Sequence, residues 1–218
     1  MTFLNIHFNT LSSLLAATLL AISTSTFAEV VIQISDQDGA PLENTTLVLT
    51  PMFDFEPIAT NSINVNQINE QFVPEVSVVQ VGTDIFFPNQ DDIRHHVYSF
   101  SPAKQFDIPL YSGTPAEPIN FDQTGIVELG CNIHDQMRGY ILVTDSPYFG
   151  ISNESGEVSI TLNQAGNYQL SLWHPEEEAH LEPIEITIGQ DLTYEAEFSI
   201  TTMQSFFPRR GSSNGSYF

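Results

Sequence analysis

Basic residues are scarce in this chain of 218 residues: 5 Lys and Arg stand against 27 Asp and Glu, which gives a formal net charge of -22. Binding to nucleic acid relies on basic contacts to phosphate, so this composition argues against a nucleic-acid-binding protein. The acidic balance fits a protein with a cationic partner, and it equally fits one whose charge serves only solubility.

Cysteine is scarcer still, since Cys131 is the only one in the chain. A lone cysteine cannot form an internal disulfide in an oxidising compartment. Cys131 is therefore an inert buried side chain, a metal ligand or a reactive group, and the residues around it decide between these roles.

Charged residues are absent from residues 1–28, which contain no Asp, Glu, Lys or Arg. The apolar run Leu11–Ile22 is too short to span a bilayer and has the length of a signal-peptide core. Thr26-Phe27-Ala28 fits a cleavage site before Glu29. We expect residues 1–28 to be a signal peptide and the mature protein to be periplasmic, with no membrane span. An uncleaved, lipid-facing anchor is the alternative.

Helical periodicity is absent beyond the N-terminal segment, and short alternating runs separated by turn residues take its place. Val30–Ile34 and Thr46–Leu49, for example, flank the turn residues Asp36–Pro41. Strands at this spacing usually form sandwiches, so the sequence predicts an all-β fold. The further predicted strands are Val76–Val81, Asp84–Phe87, His95–Phe100, Ile126–Leu129, Gly139–Thr144, Glu157–Leu162, Tyr168–Trp173, Ile184–Ile188 and Leu192–Phe198.

Two segments indicate that part of the chain forms a sandwich of a known type. Asp36–Leu42 resembles the opening of transthyretin-like, carboxypeptidase-regulatory-like domains, and Asn153–Gly156 with Ala165–Tyr168 resembles their middle. If both segments belong to one domain, residues 29–55 and 147–200 form that sandwich together.

The rest of the chain then forms a second domain, residues 56–146, inserted into the first. The alternative is two domains in sequence order, with the first strands joining the second sandwich. Residues 201–218 end in a stretch rich in Gly, Ser and Asn, which predicts a disordered tail.

Potential metal ligands are concentrated in two segments of this inserted domain. His95 and His96 begin one predicted strand, while Cys131, His134 and Met137 follow at steps of three residues between two others. Such steps let a thiolate, an imidazole and a thioether converge as the loop wraps one point. Two histidines and a cysteine in a plane, with a long axial methionine, are the ligand set of a blue-copper electron-transfer centre.

Other interpretations of these residues explain less of the pattern. Zinc more often takes a fourth cysteine, histidine or carboxylate than a methionine. A nucleophile and base formed by Cys131 and His134 would leave Met137 without a role. A buried structural cysteine is the third alternative. Adjacent strand residues point to opposite faces, so His95 and His96 cannot both face one metal ion.

The segment Cys131–Gly139 resembles the ligand loop of amicyanin, the shortest among the plastocyanin-like cupredoxins. Gly125, six residues before the cysteine, and Asn89, six residues before His95, stand where those proteins have glycine and asparagine. The chain is also similar overall to cupredoxin-domain proteins labelled as methylamine-utilisation proteins. The copper resemblance covers residues 63–146.

This resemblance implies a cupredoxin Greek-key β-sandwich that holds one mononuclear type 1 copper. It implies binding through the histidine Nδ1 atoms, with the Nε2 atom of His134 near the surface as the electron port. Ile133, Met137 and Pro88 would form an apolar docking patch around that port. The implied strong ligands are His95, Cys131 and His134, and the implied weak axial ligand is Met137.

The function implied is that of a soluble one-electron carrier without enzymatic activity. From the net charge of -22 we expect a redox partner with a basic face, such as a basic c-type cytochrome or a dehydrogenase. A copper chaperone, a storage protein or an interaction module without electron transfer is the alternative. Three departures from the cupredoxin pattern leave the hydrogen bonds around the ligands, and hence the redox potential, undetermined. His96 replaces an asparagine, Asn132 replaces a serine or threonine, and Leu129-Gly130 replaces an aromatic pair.

Overall fold

A computed structural model describes residues 27–55, 62–189 and 193–203. Every regular element in these ranges is a β-strand, which confirms the all-β prediction. Nearly all of the predicted signal peptide and most of the predicted tail lie outside the described residues. Within the described ranges, no helix is long and apolar enough to cross a membrane.

The described ranges contain seventeen strands, most of them short. Their alternating burial, as in β1 and β14 below, follows the alternation of apolar and polar residues in the sequence. In chain order they are β1 (Ala28–Asp36), β2 (Thr46–Pro51), β3 (Ile63–Asn64), β4 (Asn66–Ile68), β5 (Gln71–Val73), β6 (Val76–Gln80), β7 (Thr83–Phe86), β8 (His95–Ser101), β9 (Lys104–Tyr111), β10 (Ile119–Phe121), β11 (Gly125–Cys131), β12 (Arg138–Thr144), β13 (Phe149–Ile151), β14 (Glu157–Leu162), β15 (Gly166–Trp173), β16 (Ile184–Ile188) and β17 (Thr193–Ile200).

One group of strands comes from the two ends of the described chain. Its three-stranded sheet has the order β14-β1-β17, and its four-stranded sheet has the order β13-β2-β15-β16. Both sheets contribute to one hydrophobic core, in which Ile32 of β1, Leu49 of β2 and Tyr168 of β15 are fully buried. Within this core, the ring of Tyr168 packs edge-on against the ring of Phe53.

The other group lies between them in the sequence and has a separate core. A five-stranded sheet has the order β6-β12-β11-β8-β9, a three-stranded sheet has the order β10-β7-β3, and β4 and β5 form a hairpin. The chain changes sheet before and after β7 and before and after β10, and the core collects side chains from both of the larger sheets. Cys131 and Met137 belong to this core, alongside Phe87, Val97 and Leu129.

The chain passes between the two groups near Ser146, whose hydroxyl donates to the carbonyl of Leu49 at 2.6 Å. The rings of Tyr140 and Trp173, from different groups, lie 5.5 Å apart. After β17, Thr202 is buried and its N–H donates to Gln37 at 3.0 Å. The division of the chain at residues 55 and 147 stays a prediction. The residues outside these limits share one hydrophobic core, and the residues between them share another.

Candidate metal centre

The loop between β11 and β12 folds as two consecutive turns. The N–H of His134 donates to the carbonyl of Cys131 at 3.4 Å, and the N–H of Met137 donates to the carbonyl of His134 at 3.0 Å. Each three-residue step of the motif is therefore one hydrogen-bonded turn. The two turns curl the chain so that Cys131 and Met137 both enter the core while His134 stays at its edge.

The first histidine of the pair, His95, is the one that faces the cysteine. Its side chain is fully buried at the start of β8, and β8 pairs with β11 at Val97 and Cys131. His96 points to the opposite face, where its Nε2 lies 2.9 Å from a carboxylate oxygen of Asp107. Strand alternation holds here even though a bulge shifts the register between His95 and Val97.

Three donor atoms converge on one point. The Sγ of Cys131 lies 3.8 Å from the Nδ1 of His95 and 3.6 Å from the Nδ1 of His134. All three donors lie within 4.8 Å of one another. Metal–ligand bonds of about 2.0 Å to nitrogen and about 2.3 Å to sulfur put those two atoms about 3.5 Å apart at a tetrahedral angle and about 3.7 Å apart at a trigonal one. The donors are thus spaced to share one metal ion.

Met137 supplies the feature that separates copper from zinc. It is 1% exposed and packs in the same core as Cys131. A buried thioether in the same core as the thiolate suits copper, whereas structural zinc sites take a fourth cysteine, histidine or carboxylate. The residues present therefore fit copper, with His95, Cys131 and His134 as candidates for the strong ligands and Met137 for the weak one.

The same burial changes the expected docking patch. Because Met137 is buried, it cannot offer apolar surface to a partner. Pro88 is half-buried, whereas Ile133 is 48% exposed next to His134 in the loop. The side chain of His134 is itself 22% exposed, so the exposed part of this edge is formed by Ile133 and His134.

A carboxylate holds the far side of the His95 ring. The Nε2 of His95 lies 2.8 Å from Oδ2 of Asp91. Burial of Asp91 acts to raise the pKa of its carboxyl group, but hydrogen bonds from the Glu70 N–H, His95 and the Asn69 N–H lower that pKa below its ordinary value. A carboxylate only accepts hydrogen bonds, so this contact favours the tautomer with the ring proton on Nε2, which keeps the lone pair of Nδ1 for a metal.

Tyr111 lies behind the site as a neutral hydroxyl. Burial raises the pKa of Tyr111 to about 12; the hydrogen bond from Gln67 opposes this rise, and the negative charge of Cys131 adds to it. The hydroxyl donates to the carbonyl of Phe87 at 2.6 Å, and Gln67 Nε2 donates to the same carbonyl at 3.1 Å. These bonds tie β9 to the segment that precedes the first histidine.

Asn89 fixes the loop before His95. Its amide nitrogen donates to the carbonyls of Ile93 at 2.8 Å and Tyr111 at 3.0 Å, and its oxygen accepts from the N–H of Asp91 at 3.0 Å. Asn89 is therefore a structural tie for the loop that carries Asp91 and the first histidine, and it holds both ends of that loop in place.

The aromatic residue missing before the cysteine is supplied by a neighbouring strand. The ring of Tyr98 covers Gly130, and a Cβ added to Gly130 would lie 2.7 Å from the Cζ and hydroxyl oxygen of that ring. A larger residue next to Cys131 would therefore have to displace the outer end of the Tyr98 ring. Rings of His96, Tyr98 and Phe100 follow one another along the outer face of β8.

Sequence reasoning missed two residues that contact the imidazoles. Asp91 stands four residues before His95, and this spacing was its only signal. Glu70 lies in the turn between β4 and β5, and its Oε2 is 3.8 Å from the Nε2 of His134. No motif marks Glu70, because only the packing of that hairpin brings it to the site.

Comparison with known proteins gives structural matches alone. No family model matches the sequence, and no curated protein matches it. The reduced state of an amicyanin mutant matches at 18% identity over 45% of this chain and 99% of that chain, with a TM-score of 0.35. A purple cupredoxin from Nitrosopumilus maritimus matches at 20% identity over 38% of this chain and 98% of that chain, with a TM-score of 0.33.

A copper-containing nitrite reductase from Thermus scotoductus also matches, at 22% identity over 52% of this chain and 28% of that chain, with a TM-score of 0.35. Two sheets around one core, with a cysteine and two histidines brought together from β8 and the β11–β12 loop, are the arrangement that the sequence resemblance implied.

Proposed function

We propose that this protein is a periplasmic type 1 copper protein that carries single electrons between redox partners and is not itself an enzyme. The observation that carries this proposal is the convergence of the His95, Cys131 and His134 donors at distances that let them share one metal ion. When bound, copper supplies a one-electron couple between Cu(II) and Cu(I).

The protein's own residues would hold the ligands in place in both oxidation states. His95 and Cys131 are buried in the core between the sheets, so their positions are set before metal arrives. The thiolate and the thioether of Met137 favour Cu(I), while the imidazoles suit both states. His134 presents the edge of its ring to solvent, where a partner can approach.

Copper binding followed by reversible redox tests the proposal. One equivalent of Cu(II) added to the metal-free protein is expected to give an intense blue or green colour, because a thiolate donates charge strongly to Cu(II). A mild reductant should bleach the colour and an oxidant should restore it over repeated cycles. Visible absorption during a redox titration measures both properties in one experiment.

Other outcomes of this experiment identify the competing functions. A chaperone or storage protein would take up Cu(I) and release it to a chelator without a reversible colour change. An interaction module with only structural copper would bind the metal without reversible redox. Either result would remove electron transfer from the function of this protein.

We also infer that residues 29–55 and 147–200 form a transthyretin-like sandwich into which the copper domain, residues 56–146, is inserted. The described strands of the outer ranges share one hydrophobic core, and those of the middle range share the other. Domain insertion is tolerated because the two ends of a domain usually lie at its surface and often close together.

For the redox partner we propose a protein with a basic face, such as a basic c-type cytochrome or a dehydrogenase. The net charge of -22 produces a negative field that reaches about one Debye length, roughly 8 Å at physiological ionic strength. Such a field speeds encounter with a positive partner and slows encounter with a negative one. Transient redox complexes are small, so the exposed edge at Ile133 and His134 suffices for the final contact.

Salt dependence tests this partner class. Electron-transfer rates with a basic cytochrome should fall steeply as salt rises from low to physiological concentration, because screening weakens the attraction. Rates with an acidic cytochrome should rise or stay flat over the same range. Stopped-flow kinetics with both cytochromes gives the comparison. The same salt dependence for both would show that the acidic surface serves solubility alone.

A further inference from the structure

The imidazole that faces inward has a carboxylate partner of its own. Asp91 is 13% exposed, and its Oδ2 lies 2.8 Å from the Nε2 of His95, on the side of the ring opposite Cys131. The neighbouring carboxylate, Asp92, is exposed and has no contact with either histidine among the described hydrogen bonds and ion pairs. The contact between Asp91 and His95 is therefore specific to Asp91 and does not follow simply from the large number of acidic residues in the chain.

Asp91 is itself held by the turn between β4 and β5. Its Oδ1 accepts the N–H of Asn69 at 2.6 Å, and its Oδ2 accepts the N–H of Glu70 at 2.9 Å. The side-chain carboxylate therefore meets three donors, two from the turn and one from His95. These three hydrogen bonds leave the Asp91 carboxylate little freedom to turn away from the His95 ring.

The backbone of that turn is unusual for its residues. Asn69 has φ of 53° and Glu70 has φ of 59°, so both occupy the left-handed region. A two-residue hairpin turn of type I′ requires this conformation at both of its central residues. Glycine is the favoured residue at the second position, and glutamate there is strained. Such strain persists where surrounding contacts determine the conformation, and here the Asp91 carboxylate makes those contacts with both amides.

We propose that Asp91 is a positioning residue, which fixes the orientation and tautomer of His95 and lowers the reduction potential of bound copper. The claim about the potential rests on the proposed copper function, whereas the claim about the tautomer concerns the metal-free protein. A hydrogen bond from Nε2 to a carboxylate leaves Nδ1 free to bind metal and makes the ring a stronger donor. A stronger donor and a fixed negative charge both favour Cu(II) over Cu(I).

The tautomer is read in the metal-free protein, without any variant. Long-range proton–nitrogen NMR correlations distinguish the protonated from the unprotonated ring nitrogen, at mildly alkaline pH above the ordinary imidazole pKa of about 6.5. We expect Nε2 of His95 to carry the proton in the wild-type protein. A proton on Nδ1, facing the sulfur of Cys131, would overturn the proposal whether or not the protein binds copper.

The reduction potential is measured in the copper-loaded protein for two variants, Asp91→Asn and Asp92→Asn. Both variants remove one negative charge at almost the same place, but only the first changes a partner of His95. We expect Asp91→Asn to shift the preference from Cu(II) towards Cu(I) by about tenfold, in line with the loss seen when such partners of metal-binding histidines are changed. For a one-electron couple this is a rise of about 59 mV.

The outcomes separate this proposal from the copper function itself. Asp92→Asn should leave the His95 tautomer unchanged and move the potential much less than Asp91→Asn. Equal shifts for the two variants would show that Asp91 acts only as a distant charge, and the positioning role would be abandoned. If wild-type protein bound no copper, the proposed function would fail, while the NMR result would still decide the role of Asp91.

Discussion

Replacing Cys131 by serine should abolish the visible colour of the Cu(II)-loaded protein while the chain remains folded. The colour depends on charge transfer from a thiolate, and a serine hydroxyl is a poor donor to copper. Serine is nearly the same size as cysteine, so the core is not opened. Burying a hydroxyl typically costs about 1–3 kcal/mol in protein variants, which a typical domain stability of about 5–15 kcal/mol tolerates.

Met137→Leu is the matched control for this variant. It changes another buried candidate ligand in the same loop, conserves side-chain volume and leaves the thiolate in place. The leucine variant should therefore keep an intense colour and show a higher potential, because loss of a weak axial donor destabilises Cu(II) more than Cu(I). Visible absorption and circular dichroism on both variants make the comparison.

Colour that survives in the Cys131→Ser variant would end the type 1 assignment, because no other cysteine exists to supply a thiolate. Loss of colour together with loss of the circular dichroism of folded β-structure would instead indicate a role for Cys131 in packing. The leucine variant separates these cases, since it perturbs the same core without removing sulfur-to-copper charge transfer.

Replacing His95 by alanine should likewise abolish the normal spectrum, and added imidazole should restore it. His95 is fully buried with its Nδ1 3.8 Å from the Sγ of Cys131, so its removal leaves a space shaped for an imidazole beside the thiolate. An exogenous imidazole can fill that space and supply the missing donor. Spectra recorded with and without imidazole measure the rescue.

His96→Ala is the paired control because it removes the adjacent imidazole from the opposite face. His96 bonds to Asp107 away from the donors, so the spectrum should stay near that of the wild type. Loss of colour in His96→Ala, with colour retained in His95→Ala, would transfer the ligand role to His96 and contradict the side-chain placement at the start of β8.

The local parts of the candidate site were predictable from the sequence because they depend on short-range geometry. Steps of three residues between Cys131, His134 and Met137 match consecutive hydrogen-bonded turns, which need only neighbouring backbone groups. Alternation in a strand puts His95 and His96 on opposite faces. The same short-range periodicity, with turn residues between the runs, determined that the chain is all-β.

The resemblance implied His95 as the ligand, but only the tertiary structure places that ring against the cysteine and decides what holds each ring. Alternation separates His95 from His96, but the pairing of β8 with β11 determines which face is inward. Asp91 is locked by a turn 21 residues earlier in the chain, and Glu70 reaches His134 from that same turn. Contacts of this kind depend on how distant strands pack, and local patterns of polarity carry no record of that packing.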